Sequence, residues 1–249
     1  MKVGVIITCK NLVEYTAAAV DSIFTQLPHV IIIIDDHSID KTKEWAAALP
    51  ELYPEQEFHV ITDPVVPSLA ARWNLGCRKA FDELECTAAL VCNNDILFNP
   101  ITIDSLAARM RRGDVGMVTA HNLRGELADP EQIFTLPVTW EATEAQHPDF
   151  SCFLISKDTY QRVGDFDENF IPCYFEDGDY HLRMGKLGIK AITTTGAPYY
   201  HYGSRTQNSV YGGVCTPTQF DTLREYLRGK HGAVPGEAAY ERICQGVKE

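Results

Sequence analysis

The sequence predicts an α/β fold: a mostly parallel central sheet flanked by helices. Three observations carry this. Short β-branched runs alternate with amphipathic stretches through the first half of the chain. One run, "VIIIID", is continuously apolar, as a strand covered on both faces must be. The segments between runs are long enough for the helical crossovers that parallel neighbours require.

Taken in order, "KVGVIIT" (residues 2–8) is the first strand, and residues 14–26 form a helix with apolar side chains every three or four positions. Residues 30–35 are the second strand. "KTKEWAAAL" reads as helix and "EFHVIT" as strand. Ser68 is placed to cap a helix over "LAARWNLGCRKAFDEL", because its hydroxyl accepts from a free first-turn N–H. "AALVC" is a strand, "ITIDSLAARMRR" a helix and "VGMVTA" a strand. "FSCFLIS" (150–156) is a further strand, followed by the short helix "KDTYQRVG". An acid-rich run then enters a helix near Asp177, with acids in the turn where the helix dipole favours them. Towards the C-terminus, Gly and Pro punctuate two helical patches near 218–228 and 235–245. No repeat or low-complexity linker interrupts the chain, so one domain with a C-terminal appendage is the simplest organisation.

Composition narrows the class. Hydrophobic residues make up 45% of 249, enough for a sizeable core. The net charge of −12, from 22 basic and 34 acidic residues, argues against a protein that tracks duplex nucleic acid by neutralising phosphates. The eight cysteines include no Cys-x-x-Cys and fit no zinc module, so they read as buried thiols of a reducing compartment. Met1 and Lys2 lead straight into a strand, and no apolar run approaches the roughly 20 residues of a membrane span. The expectation is a cytoplasmic protein whose membrane contact, if any, is peripheral.

Ligands on parallel sheets bind beyond the carboxyl ends of the strands. Thr8, Cys9, Lys10 and Asn11 follow the first strand, Asp35, Asp36, His37 and Ser38 the second, and Asn93, Asn94 and Asp95 follow "AALVC". Three polar clusters thus converge on one edge. Asp35 and Asp36 can accept hydrogen bonds from a base N–H or ribose hydroxyls, whereas helix capping needs only one such residue. Asp95 suits a hard divalent cation, with an Asx turn as the plainer alternative. Glu176, Asp177 and Asp179 are close carboxylates that raise one another's pKa and suit a general base; the alternative is an acidic helix start. His201 lies among aromatics and gains a ligand role if Asp95 binds metal. Arg109, Arg111 and Arg112 complement a helix C-terminus. The first strand is not followed by Gly-x-Gly-x-x-Gly, and no phosphate-binding Gly-x-x-x-x-Gly-Lys loop occurs, which removes the dinucleotide and P-loop readings.

The ordered set "VIITCKN", "IDDHSIDKT", "LAARWNLGCRKA", "LVCNNDILFNP", "VGDFDENF", "YFEDGDYHLRMGKLGIK" and "YYHYGS" resembles the family 2 glycosyltransferases of GT-A fold. It is most similar to their Asn-Asn-Asp branch of rhamnosyl- and galactofuranosyltransferase-like enzymes. The resemblance implies a GT-A domain over 1–204 and a C-terminal extension over 205–249, packed on the acceptor side. It implies inverting transfer of a sugar from a nucleotide-diphosphate sugar, with UDP as the expected carrier, to a glycan, lipid-linked glycan or protein hydroxyl. Thr8, Asp35, Asp36, Arg72, Asn74, Asn93 and Asn94 would hold the donor. Asp95 and His201 would bind Mn2+ or Mg2+. Asp177 would be the base, with Glu176 the runner-up. Asn93 stands where the family often has the first Asp of Asp-x-Asp, and Trp73 separates Arg72 from Asn74. The tail "YLRGKHGAVPGEAAY" is similar to a Lys-Trp-Gly-type ending, with His231 in place of Trp; its Arg224, Arg228 and Lys230 either cover the acceptor site or form a solvated face. The competing readings are a non-catalytic nucleotide-sugar-binding protein on the same fold and a nucleotidyltransferase, which would need a Gly-rich, Arg-containing loop after the first strand.

Overall fold

The computed structural model describes residues 1–136, 142–145, 148–203, 205 and 216–246. The expected boundary at Ser204 and residues 206–215 of the extension lie outside the described residues. Among the described residues, nine strands form one sheet. They are β1 (Val3–Cys9), β2 (His29–Asp35), β3 (Phe58–Thr62), β4 (Ala88–Asn93), β5 (Ile96–Phe98), β6 (Met117–Asn122), β7 (Glu144–Ala145), β8 (Cys152–Ser156) and β9 (Ala191–His201). The order is β3-β2-β1-β4-β8-β6-β9-β5, with β7 also on β9. β3, β2, β1 and β4 run parallel, as does β9 beside β6; β8 is antiparallel to both its neighbours.

The helices are α1 (Val13–Asp21), α2 (Thr42–Leu52), α3 (Leu69–Arg78), α4 (Thr102–Met110), α5 (Lys157–Val163), α6 (Glu176–Lys186), α7 (Pro217–His231) and α8 (Ala238–Cys244). Ser68 caps α3 as expected, its hydroxyl accepting from Ala71 N–H at 3.2 Å. The first helix is shorter than its periodicity suggests. It closes near Ser22, whose Oγ donates to Ala19 O at 2.8 Å and accepts from Phe98 N–H.

Strand alternation sorts the core into two layers. Val3, Val5, Ile7, Ile31 and Ile33 pack on one face of the sheet. Ile6, Val30, Ile32 and Ile34 pack on the other, with α3. Trp73 belongs to this second layer, edge-on to Phe153 and Phe166. The helical turn therefore sends Trp73 inward while its neighbour Arg72 reaches the sheet edge.

The C-terminal helices share a small core of their own with α6: Phe170, Leu182, Leu223, Leu227, Val234 and Tyr240. Contact with α6 is backbone-close at Gly185, where an added Cβ would lie 2.1 Å from Ile243 O. A polar clamp reinforces it. Asp179, fully buried, takes Arg183 Nε at 2.8 Å, His231 Nε2 at 2.8 Å and Lys230 Nζ at 2.5 Å. Lys186 Nζ donates to His231 Nδ1, so Nε2 carries the proton that points at Asp179. Burial raises the Asp179 pKa, but the His231 hydrogen bond and the Arg183 and Lys230 charges outweigh it and hold the carboxyl far below its ordinary value. Lys230 also bonds Asp167, and Arg228 pairs with Glu237. Lys230 is thus spent on docking the extension, whereas Arg228 pairs within the extension itself. Arg109 is likewise committed: it is buried and bound to Asp114 and Glu144, a structural ion pair beyond simple dipole complementation.

Candidate functional site

Strand register builds the donor edge. Cys9 lies opposite Asp35 on one side of β1, and Thr8 opposite Asn93 on the other. The first two polar clusters are then tied together: Asn11 N–H donates to Ser38 Oγ at 2.7 Å, and Ile39 N–H to Asn11 Oδ1 at 2.7 Å. Asn11, Leu12 and His37 adopt positive φ in these loops. For residues with a Cβ this conformation is costly, and such strain concentrates where loops are held for a purpose.

Asp36 is gripped by Arg72 at 2.8 Å, Lys10 at 3.4 Å and His37 at 3.2 Å. Burial pushes its pKa up, yet the Arg72 charge and hydrogen bond, with His37 and Lys10, leave it lower than usual. Asp35 is wholly buried. Its Oδ1 accepts from Ser38 N–H at 3.2 Å, while Oδ2 has no partner. Arg72 Nε is also buried without a partner. Buried polar atoms are satisfied in the great majority of cases, so these two are left to pair with an ordered water or a bound ligand.

Two expected donor contacts are placed elsewhere. Asn74 is fully buried: its Nδ2 donates to Phe166 O and Glu168 Oε1, both at 2.9 Å, and its Oδ1 accepts from Phe166 N–H and Tyr160 OH. With its amide saturated, Asn74 ties α3 to the segment before α6 and is not available to a nucleotide. Asn94 turns inward to Thr16 of α1, Nδ2 to Oγ1 at 3.0 Å. Its amide braces α1, which corrects the expectation that it contacts the donor.

The third cluster meets β9. Its short neighbour β5 pairs with it so that Ile96 lies opposite His201. His201 Nε2 sits 3.1 Å from Asp95 Oδ1 and 3.3 Å from Asn93 Nδ2. One ring nitrogen cannot satisfy both an acid oxygen and an amide N–H in a single tautomer, so this trio can reorganise around an added cation. Burial raises the Asp95 pKa, but the hydrogen bond and charge of His201, then the Arg205 N–H, bring it below its ordinary value. Among the described residues no set of three or more His, Cys, Asp or Glu side chains gathers as for an all-protein metal site. Asp95 and His201 supply two. That fits a hard divalent ion that completes its shell from substrate phosphates and water.

Arg205 is a residue that sequence reasoning missed. Its backbone N–H donates to Asp95 Oδ2 at 3.1 Å, and its guanidinium lies 6.0 Å from the rings of both Tyr15 and Tyr202. Its spacing four residues after His201 is the signal that was available.

Glu176 and Asp177 open α6, after Tyr174 and Phe175, both at positive φ. The two acids differ in setting. Glu176 is buried with Oε2 unpartnered; burial and then the Asp177 charge push its pKa up to about 8. Asp177 is half-buried and lines a cleft of about 210 Å3 with Pro148, Phe150, Gly178, His181, Pro235, Tyr240 and Glu241. Its Oδ1 accepts from Gly178 N–H at 2.7 Å. Burial raises its pKa, partly offset by that bond, and the charge of Asp149 raises it further. Asp149 also links the cleft to the third cluster. It accepts from Tyr199 OH at 2.9 Å and from Ser151 N–H at 2.9 Å, Tyr199 stacks near His201, and Ser151 O takes the Asn93 N–H.

The family model for glycosyl transferase family 2 matches residues 4–162, more than half the chain and the whole of the donor edge. The chain belongs to glycosyl transferase family 2. This family 2 chain is 25% identical over 197 residues to a galactofuranosyl glycosyltransferase of Leishmania donovani. The match covers 63% of this chain and 45% of that relative, so the chain spans less than half of the relative's length. Solved structures show the same GT-A fold. A mannosyltransferase from Pyrobaculum calidifontis, in complex with GDP-Man and Mn2+, superposes with a TM-score of 0.64 at 14% identity, over 98% of this chain and 68% of that one. The S. aureus TarS 1–349 fragment in complex with UDP-GlcNAc gives 0.65 at 15% identity, over 99% and 71%.

Proposed function

We propose that this family 2 protein is an inverting glycosyltransferase that moves a hexose-type sugar from a nucleoside-diphosphate sugar, with UDP as carrier, to an acceptor hydroxyl. What supports the reading most is one juxtaposition: an acid of raised pKa, Asp177, lines a cleft that Asp149, Tyr199 and Ser151 connect to the Asp95–His201 pair.

The geometry supports a role for each residue. Asp35 Oδ2, buried and unpartnered, is the acceptor for a base N–H or ribose hydroxyl, and Thr8 stands at the strand end opposite Asn93. Asp36 holds Arg72 at the sheet edge, where its unpartnered Nε is available to the donor. Asp95 and His201 would hold Mn2+ or Mg2+ together with the donor's diphosphate, and the ion supplies charge neutralisation for that leaving group. Asn93 completes the polar wall beside them. Asp177 takes the proton of the acceptor hydroxyl. The acceptor oxygen's lone pair forms the new bond to the anomeric carbon while the carbon–diphosphate bond breaks, and the nucleoside diphosphate leaves with that electron pair. A single displacement from the opposite face inverts the centre. Asp177 lines the cleft and Glu176 does not, which favours Asp177 as the base.

A cytoplasmic setting is part of this reading: Cys92 and Cys152 face each other across β4 and β8 as buried free thiols. The test is a panel of nucleotide sugars with Mn2+ or Mg2+, followed by thermal stabilisation and by release of nucleoside diphosphate. Metal-dependent stabilisation by one donor, with release, supports the reading; no shift with any donor overturns it.

A further inference from the structure

The turn that delivers Asp177 is held from outside its own helix. Tyr174 and Phe175 precede Glu176 with φ of 88° and 72°. The left-handed region is costly for residues with a Cβ, and here two aromatic residues adopt it in succession. Phe175 is the N-cap of α6, yet its side chain makes no capping hydrogen bond. N-caps ordinarily sit in the extended region and place a side-chain oxygen on a first-turn N–H. Only the Phe175 carbonyl starts the helix, accepting from Asp179 N–H at 2.9 Å. The acids of the first turn favour the helix dipole, but not the conformation of the two residues ahead of them.

The missing support comes from α7. Phe220 meets both rings, edge-on to Tyr174 with centroids 5.6 Å apart and tilted on Phe175 at 4.7 Å. Leu223 and Leu227 follow it at helical spacing, and both are buried. Leu227 reaches the first turn itself: a Cβ on Gly178 would lie 3.4 Å from its Cδ2. Lys230 and His231 complete the row at Asp179. The residues on either side of Asp177 are thus pinned by one face of the extension, with Phe220 at the end that grips the turn.

We infer that Phe220 is a positioning residue for the proposed base: by clamping the left-handed turn at Tyr174 and Phe175, it fixes where Asp177 presents its carboxylate in the cleft. A misplacement of about 1 Å, even from a change far from the chemistry, can cost on the order of 10²-fold in rate. The inference rests on the reading of Asp177 as the base.

The test uses the full chain with Mn2+, the UDP-hexose that stabilises it, and water as the acceptor, so that release of UDP reports turnover. Phe220→Ala is set against Tyr226→Ala. Both remove an α7 ring that is 40% exposed, but Tyr226 packs on Phe170 and bonds Asp167, upstream of the turn. Rates are referred to the donor-binding fraction, so a loss of folded protein cancels. In Phe220→Ala, kcat should fall about 10–100-fold while donor Kd stays within about twofold of wild type. Tyr226→Ala should lower the melting temperature and keep kcat within about twofold. Phe220→Leu, which refills the contact, should recover most of the loss. Phe175→Gly relieves the turn of its conformational cost and removes the ring that Phe220 grips, so adding Phe220→Ala there should lower kcat less than it does in the wild type. Wild-type kcat in Phe220→Ala, an equal fall in Tyr226→Ala, no recovery in Phe220→Leu, or additive effects with Phe175→Gly would overturn the inference. Full turnover by Asp177→Asn would instead overturn the base assignment, and failure of every UDP-hexose to bind or turn over would overturn the proposed function itself.

Discussion

His201 Nε2 stands 3.1 Å from Asp95 Oδ1, although 106 residues of chain separate them. Asp95 is buried and His201 partly exposed, at the junction of β4, β5 and β9. If these two groups are the protein's share of a divalent site, Asp95→Asn and His201→Ala should each raise the Mn2+ needed for half-maximal stabilisation by donor about 10–100-fold. A Mn2+ titration at fixed nucleotide sugar, followed by thermal shift, measures this. Superimposable curves for wild type and both variants would remove the pair from the metal role.

Asp35 and Asn74 should separate donor binding from folding. Asp35→Asn turns an unpartnered acceptor towards an amide and should weaken donor binding by roughly 1.5–3 kcal/mol, or about 10–150-fold in Kd. Asn74→Ala instead strips four hydrogen bonds from a buried tie and should cost stability, roughly 1–3 kcal/mol or more, with donor Kd little changed. Calorimetric titration and denaturant melts on the two variants check both halves. A donor-binding defect in Asn74→Ala without loss of stability would contradict the structural assignment.

Glu176 should make stability fall with rising pH. Its pKa is raised from 4.5 to about 8 in the folded protein, so the native state binds more protons than the unfolded chain between those values. The contribution is fully present below the unfolded pKa and is lost as pH climbs towards about 8. Glu176→Gln, which is neutral throughout, should flatten melting temperature against pH across this window and be the more stable protein at its upper end. Parallel profiles for the two proteins would refute this. In the same range the acid limb of kcat/KM should lie above the ordinary carboxylate range, because burial and Asp149 raise Asp177.

The docked extension gives a fourth expectation. Asp179→Asn leaves Arg183, Lys230 and His231 facing a neutral amide at a fully buried position and should cost roughly 3–5 kcal/mol. Gly185→Ala drives a methyl into Ile243 O and should loosen α8 from α6. Hydrogen exchange reads the two outcomes: faster exchange in 217–246 with the sheet still protected is expected. Unchanged protection of α7 and α8 in both variants would contradict the clamp.

Much of the donor edge was legible because strands carry a strong local signal. The run at Ile31–Ile34 could only be a buried strand, and the polar residues that follow such strands necessarily share an edge in a parallel sheet. What was hidden depended on tertiary pairing. β5 is three residues long, below any periodicity, and β9 runs eleven residues through Gly196 and Pro198, residue types that ordinarily weaken or end a strand. The direction of an amide is equally non-local: Asn74 and Asn94 looked like their neighbours Arg72 and Asn93, but helix and turn geometry sent them inward to Phe166 and Thr16. Tyr240 and Glu241 join the cleft only because α8 docks on Gly178 and Gly185, a contact that no local pattern announces.

The central claim is that Asp177 removes the acceptor proton. The measurement is acceptor-dependent release of nucleoside diphosphate by wild type and Asp177→Asn, at saturating donor and Mn2+, with donor affinity determined for both. The account predicts a fall in kcat of about 10²–10⁴-fold with donor affinity retained, because only the proton acceptor is lost. Turnover by Asp177→Asn at the wild-type rate would contradict it.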